Sequence, residues 1–369
     1  MYVKRFFLAG FLFLGCSSSS TNSSNATTSD AGAADAGDPT TVACDALVEV
    51  IAPAVDTARV NAKSSDAIVG VTTNTCPMSF YASGPSNIGA DDRVRIASIT
   101  KTYVSAVILH FVEAGAVKLD DTIAQFALGI PNDTSITVRM LLDHTSGLFD
   151  YTQDPGFLTH LDWTPEQRIA ISASHPAEFA PGTSWDYSNT NFIALGLIAQ
   201  KLGNAPIGKL IHDDVLTPNG FSATYFDGED TVEGTIAPSF SASGKTLTTG
   251  RFGAWADGAI ATTPAELTRW MRRYASGDET PTLKGDLLNG VDEGPGAGET
   301  YGLALEILDA STTGNGTAYG HGGDIPGFHS LAFYFPDRGW TISAIVNKDG
   351  SDPNVIMLAV VNALRAANL

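Results

Sequence analysis

The sequence predicts an α+β fold: an antiparallel sheet built from both chain ends and flanked by helices, with an all-helical subdomain inserted over residues 115–255. Three observations predict it. Short segments rich in branched and aromatic residues stand at 67–72 and 78–82 and return late in the chain at 301–307, 329–335 and 340–346. Segments with apolar residues three and four apart fill the middle. A last periodic segment, 352–366, closes the chain as a helix. No internal repeat is visible.

In chain order, residues 1–15 come first, with Lys4 and Arg5 ahead of the ten-residue apolar run 6–15. That run is too short to span a bilayer as a stable helix and has the pattern of a secretory signal. Residues 16–43 follow as a segment dominated by Ser, Thr, Asn, Ala, Gly and Asp, which reads as a flexible tether. The globular domain is 44–369. Helix 46–62 carries Leu47, Ile51, Val55 and Ala58 on one face. Helix 98–114 carries Tyr103, Val104, Val107, Ile108, Phe111 and Val112, and Gly115 stops it. Helices are predicted near 137–144, 164–174, 191–202, 206–216 and 264–276, with Thr137 and Thr164 as start signals and Gly203 and Gly277 as stops.

Charge narrows the partners. The 21 Lys and Arg against 40 Asp and Glu give a net −19, a surface that repels phosphate backbones, so nucleic acid is not an expected partner. The run ending in Phe13-Leu14-Gly15-Cys16 resembles a bacterial lipobox, which implies lipidation of Cys16 and anchoring to a membrane. Ser17, at the position after that cysteine, favours the outer membrane in a two-membrane host. If Cys16 carries lipid, Cys44 and Cys76 remain. An exported chain meets an oxidising compartment, where such a pair forms a disulfide; two buried free thiols are the alternative.

Three short motifs carry the chemistry. Ser98-Ile99-Thr100-Lys101 is the only Ser-x-x-Lys, and on a helix residues three apart share a face, so the amine reaches the hydroxyl. Tyr187-Ser188-Asn189 is the only Tyr-x-Asn; a phenol with its pKa lowered by a neighbouring ammonium relays protons, and an amide serves a peptide-like substrate. His321-Gly322-Gly323 is the only His-x-Gly, and its glycines allow a substrate backbone to approach closely. Each has a plainer reading taken alone: an N-cap, a turn, a glycine-rich loop.

Taken together and in order, the motifs resemble the active site of the penicillin-recognising serine hydrolases, the superfamily of class C β-lactamases, D-Ala-D-Ala carboxypeptidases, D-aminopeptidases and related esterases. Segments 140–148 (MLLDHTSGL), 179–196 (FAPGTSWDYSNTNFIALG), 258–270 and 320–328 (GHGGDIPGF) are similar to further blocks of that superfamily, over residues 60–365 in all. The resemblance implies a β-lactamase/transpeptidase-like fold. Within it, Ser98 is the nucleophile that forms an acyl-enzyme, and Lys101 and Tyr187 share the proton transfers. Asn189, His321, Gly322 and Gly323 contact substrate. The backbone N–H groups of Ser98 and Asp324 form the oxyanion hole. No metal or other cofactor is implied, and the sequence contains neither His-Glu-x-x-His nor Gly-x-Ser-x-Gly.

His321 stands where many relatives carry Lys, and Gly322 removes a hydroxyl that helps hold a substrate carboxylate; Asp324 is placed to repel one. Efficient β-lactamase activity is therefore not the expectation. The expectation is a cell-envelope hydrolase acting on a small peptide, β-lactam or ester, with D-alanyl-D-alanine carboxypeptidase first and esterase next. A penicillin- or peptidoglycan-binding lipoprotein that does not turn over is the alternative of another class. His144, in the Asp-His-Thr-Ser-Gly run, reads as closing a helix end rather than as catalytic. Trp163, Trp185, Phe252 and Trp255 are placed either to line a cleft or to pack the core.

Overall fold

The computed structural model describes residues 39–157, 162–247, 253–294 and 299–369. The signal segment, Cys16, nearly all of the tether and Phe252 lie outside them.

Helix α1 spans Pro39–Asn61, followed by β1 (Ala67–Thr72), β2 (Ser79–Ser83) and β3 (Val94–Arg95). Helix α2 (Thr100–Glu113) leads into α3 (Val138–Leu142), α4 (Pro165–Ala173), α5 (Asn189–Gly203) and α6 (Ile207–Ile211). Next come β4 (Tyr225–Phe226), β5 (Ile260–Thr262), α7 (Pro264–Ala275), α8 (Lys284–Leu287), β6 (Val291–Asp292), β7 (Glu299–Tyr301) and β8 (Glu306–Leu308). The chain ends with α9 (Ala310–Thr313), β9 (Ala318–Ile325), β10 (Phe328–Phe335), β11 (Trp340–Val346) and α10 (Pro353–Ala366).

An eight-stranded sheet runs β2-β1-β11-β10-β9-β8-β7-β6, and its described pairings are antiparallel. The N-terminal hairpin is thus welded to the last strand, with Ala67 opposite Val346. Side-chain alternation then makes two cores. Val69, Val71, Leu331, Phe333, Ile342 and Ala344 face α1 and α10, which bring Leu47, Ile51, Val55, Ile356 and Val360. Ile68, Ala332 and Ile345 face the other way, toward Leu267, Trp270 and Met271 of α7 and the larger helical core around α2 and α5. Helix α5 is buried along its whole first three turns, as its apolar composition demands.

The helix signals work locally. Thr137 caps α3, Thr164 and Gln167 form a reciprocal capping box on α4, and Gly115 and Gly277 take the left-handed conformation that stops α2 and α7. Three expectations need correction. Helix α1 begins at Pro39, inside the segment read as tether, and Cys44 is held by the disulfide to Cys76. Segment 301–307 is not one strand but the hairpin β7–β8, bent where Ala304 takes a positive φ. The helix predicted over 206–216 ends as α-helix at Ile211 and continues as a wider turn over His212–Leu216. A small second sheet, β3-β5-β4, lies beside the helical region and no strand pattern announced it, because strands of two or three residues are too short for a period to show. Among the described residues no helix is long and apolar enough to cross a membrane.

Candidate active site

The three motifs meet at one place. Ser98 does not open α2. It sits in a single 3-10 turn, Ala97–Ile99, ahead of Thr100. In that tighter winding residues i and i+3 eclipse, which sets Lys101 directly over the hydroxyl: Nζ lies 2.9 Å from Ser98 Oγ. Ala97 holds φ +47°, a left-handed value unusual for a side-chain-bearing residue and a sign of a strained turn held by its surroundings. Those surroundings are visible. Ser330 Oγ of β10 donates to Ile96 O, Ile96 N–H donates to Ile260 O, and Ile260 N–H donates to Thr100 Oγ1. Ser98 is half-buried, whereas Lys101 is fully buried.

Lys101 Nζ has three partners: Ser98 Oγ, Asn189 Oδ1 at 2.8 Å and the Asp257 carbonyl at 2.8 Å. Two of these only accept. A neutral amine therefore gives its two hydrogens to Asn189 and Asp257 and keeps its lone pair for the Ser98 hydroxyl hydrogen. Burial pushes the Lys101 pKa down to about 8, opposed by the Asp257 and Asp150 carboxylates.

The Tyr187 hydroxyl hydrogen-bonds Ser98, but burial drives its pKa well above the usual phenol value, contrary to the expected lowering. The Lys101 amine lies over the ring, 5.0 Å from its centre, and does not offset that burial. Tyr187 is a neutral donor here. Its ring packs on His144 at 4.3 Å between centroids. His144 is buried, and its Nδ1 accepts from the Ser188 N–H and lies 2.9 Å from Asn191 Nδ2, which fixes the Tyr187-Ser188-Asn189 turn. Its backbone, at φ +63°, does follow the end of α3, and its pKa is held well below the ordinary value by burial, so it stays neutral.

Asn189 is expected to face substrate. In the structure Oδ1 accepts from Lys101, and Nδ2 donates one of its two hydrogens to Asp150 Oδ2 at 3.0 Å. Asp150 is itself buried and bonded to Thr152, and its carboxyl pKa is raised by that burial. Asp257 supplies its carbonyl to Lys101 while its carboxylate takes the Tyr151 hydroxyl at 2.6 Å and lies 3.7 Å from Arg168. Sequence reading missed Asp150 and Asp257. The signal for Asp150 was an acid closing the apolar Gly147-Leu148-Phe149 run. For Asp257 there was none, since the group used is its backbone.

Segment 320–323, which alone reads as a turn, is the middle of β9, paired with β10 along its length. The Cβ of an alanine at 323 would stand 2.1 Å from Ile96 O, so the close approach that Gly323 permits is to the turn carrying Ser98. The Gly322 N–H donates to Glu306 Oε1 at 3.0 Å, pointing to the edge of β9 that β8 covers only as far as Gly320. Strand alternation turns the Asp324 N–H to that same edge. The Asp324 carboxylate pairs with His329 Nδ1 at 2.9 Å. His321 is buried and neutral, its pKa pulled down to about 3 by burial and the nearby Lys101. Its Nδ1–H donates to the Gly322 carbonyl and its Nε2 accepts from the Tyr301 hydroxyl at 2.7 Å, so both ring nitrogens are taken. Tyr301, which packs against Trp185, His144 and Tyr187, was not singled out by sequence. Trp255 is 7% exposed and belongs to the core, with its indole N–H on Glu229; Trp163 packs at that core's margin.

Cys44 and Cys76 are joined, with Cα atoms 5.0 Å apart. Among the described residues no group of three or more His, Cys, Asp or Glu is placed to hold a metal.

Comparison with known proteins fits this geometry. A family model described as Beta-lactamase matches residues 69–367. The D-alanyl-D-alanine-carboxypeptidase/endopeptidase AmpH of Escherichia coli strain K12 is 32% identical over 201 residues, 51% of this chain and 50% of AmpH. Esterase EstB of Burkholderia gladioli is 25% identical over 169 residues, 38% of this chain and 43% of EstB. The chain spans about half or less of the length of these curated relatives. Among solved structures, a D-stereospecific amidohydrolase from Streptomyces sp. superposes with a TM-score of 0.75 at 29% identity, covering 84% of this chain and 97% of that one. The D-amino acid amidase of Ochrobactrum anthropi SV3 shares the fold with a TM-score of 0.78 at 22% identity, over 88% of this chain and all of that one.

Proposed function

The chain belongs to the Beta-lactamase family and is a serine hydrolase of it, and from that premise we propose that it cleaves an amide or ester through an acyl-enzyme on Ser98, with Lys101 as the base. The observation that carries the assignment is the Lys101 amine, 2.9 Å from Ser98 Oγ and held by two acceptor-only partners. Lys101 takes the Ser98 proton as the Ser98 Oγ–carbonyl bond forms. The backbone N–H groups of Ser98 and Asp324 hold the developing oxyanion; one such donor is typically worth about 3 kcal/mol of barrier. As the scissile bond breaks, the neutral Tyr187 hydroxyl passes its proton to the leaving atom and recovers one from Lys101. Water then attacks the ester by the reverse sequence. Asn189, His144 and Tyr301 position these groups, and His321 acts through Tyr301 and the Gly322 carbonyl.

Within this class we favour an amidase or esterase with an uncharged leaving group. His321 is neutral and its two nitrogens are engaged inside the protein, so the third motif offers no cation to a substrate carboxylate. Support also comes from the likeness to the Streptomyces amidohydrolase and the Burkholderia esterase. D-alanyl-D-alanine carboxypeptidase activity is the second reading, favoured by the similarity to AmpH. The test is a substrate panel beside a fluorophosphonate probe: label and turnover are expected in wild type and lost in Ser98→Ala. Equal labelling of both would refute the assignment. Release of D-Ala from a stem peptide faster than hydrolysis of p-nitrophenyl esters or D-amino acid amides would select the second reading. A stable acyl adduct without product, seen by intact mass, would select a binding protein.

We also propose export and lipid anchoring at Cys16, supported by the leader composition and by a disulfide that suits an oxidising compartment. Incorporation of labelled palmitate into wild type and not into Cys16→Ala tests it.

A further inference from the structure

The open edge of β9 carries a carboxyl group that none of the three motifs accounts for. Beyond Gly320, β8 no longer pairs with β9, and the Glu306 side chain takes over, accepting the Gly322 N–H at 3.0 Å. Its Oε1 also lies 3.6 Å from His321 Nδ1, and the side chain is 23% exposed. Gly322 and Asp324 point their N–H groups along the same edge, two residues apart, which in a strand is about 7 Å. A substrate whose carbonyl oxygen sits on the Asp324 N–H and whose chain follows the edge toward Gly322 therefore meets the Glu306 carboxyl, not a free backbone donor. Glu306 fills the ladder position that the next substrate group would use.

Resting on the acyl-enzyme reading above, we propose that Glu306 is a specificity-determining residue that closes the Gly322 side of the cleft to carboxylate-bearing substrate groups and admits neutral or amine-bearing ones. The charge around it agrees. The titratable groups that interact with it are His321 from β9, 3.6 Å away and neutral; Tyr301 and Glu299 from β7; Glu293 beyond β6; and Tyr187. None is cationic at neutral pH. Burial, together with Glu293 and Glu299, raises the Glu306 carboxyl to about 8. The exclusion is thus weakest near neutrality and strengthens as the carboxyl ionises.

The experiment uses two esters with the same acyl group, one releasing a neutral alcohol and one an alcohol bearing a carboxylate on the leaving side. Their ratio of kcat/KM cancels every step common to both, including titration of Lys101. In wild type the neutral-to-anionic ratio is expected to climb about tenfold between pH 7 and 9.5, the effect of one added like charge within a few ångströms. In Glu306→Gln the ratio is expected to be lower than wild type at pH 9.5 by the same factor and flat with pH. A ratio flat with pH in wild type, or the same rise in Glu306→Gln, overturns the proposal. The wild-type series alone decides it if the variant does not fold. Absence of turnover on both esters would instead overturn the acyl-enzyme reading, and this proposal with it.

Discussion

Replacing Lys101 with methionine isolates the amine while keeping an unbranched chain of similar length on α2. Two magnitudes follow from its burial. Depression of the lysine from 10.5 to about 8 corresponds to roughly 3 kcal/mol against the charged form, at about 1.4 kcal/mol per unit. At pH 7 about one molecule in ten then carries the free amine, and kcat/KM for a neutral ester should rise about tenfold to a plateau above pH 9. Stability has the matching sign. The folded state binds fewer protons than the unfolded state between about pH 8 and 10.5, so the unfolding free energy rises with pH across that window and carries its full penalty below it. Lys101→Met should lose about 10²–10⁴ in kcat/KM, the usual contribution of a positioned base. Its stability change at pH 7 should be modest, because relief of the buried charge is offset by stranding Asn189 Oδ1 and the Asp257 carbonyl. Stopped-flow acylation from pH 6 to 10 on wild type, Lys101→Met and Tyr187→Phe gives the answer. The limb near pH 8 should persist in Tyr187→Phe. If it vanishes there and survives in Lys101→Met, the roles assigned to the two residues are reversed.

Three further outcomes are expected. Gly323→Ala places a methyl 2.1 Å from Ile96 O and 2.7 Å from Ser330 Oγ, so the Ser98 turn must shift; acylation should slow at least about tenfold, and an unchanged acylation rate would show that β9 does not brace that turn. Tyr301→Phe removes the donor to His321 Nε2 and should cost about 1–3 kcal/mol in urea unfolding, the usual penalty for a stranded buried acceptor; no loss would mean that the nitrogen finds another partner. Cys44→Ala with Cys76→Ala opens a loop with a sequence separation of 32 and should lower unfolding free energy by about 3–4 kcal/mol with activity retained at low temperature.

Much of this protein is readable locally. The Thr137 and Thr164 caps, the glycine stops at 115 and 277, and the strands at 67–72, 329–335 and 340–346 follow from short-range chemistry that operates before the chain packs. The residues of the site are also readable, because Ser98 and Lys101, and Tyr187 and Asn189, are sequence neighbours whose spacing has meaning. Context decides the rest. Segment 320–323 taken alone has the glycines of a turn, but pairing with β10 overrides that propensity and makes it the strand beside Ser98. Segment 301–307 has the residues of one strand, but it folds as a hairpin that brings Tyr301 to His321.

Order along the chain establishes which functional groups are present, which of them lie on a common turn, and that the chain's two ends carry the strands. Their electrical state and their partners arise with the folded packing. Burial depends on atoms brought from distant parts of the chain, and it is burial that lowers Lys101, raises Tyr187 and silences His321. The same holds for Asn189 turned inward onto Asp150, and for Glu306 set on the edge of β9. A pattern along the chain records which groups can be neighbours, while the dielectric and the hydrogen-bond partners that decide what each group does exist only once remote segments have closed around it.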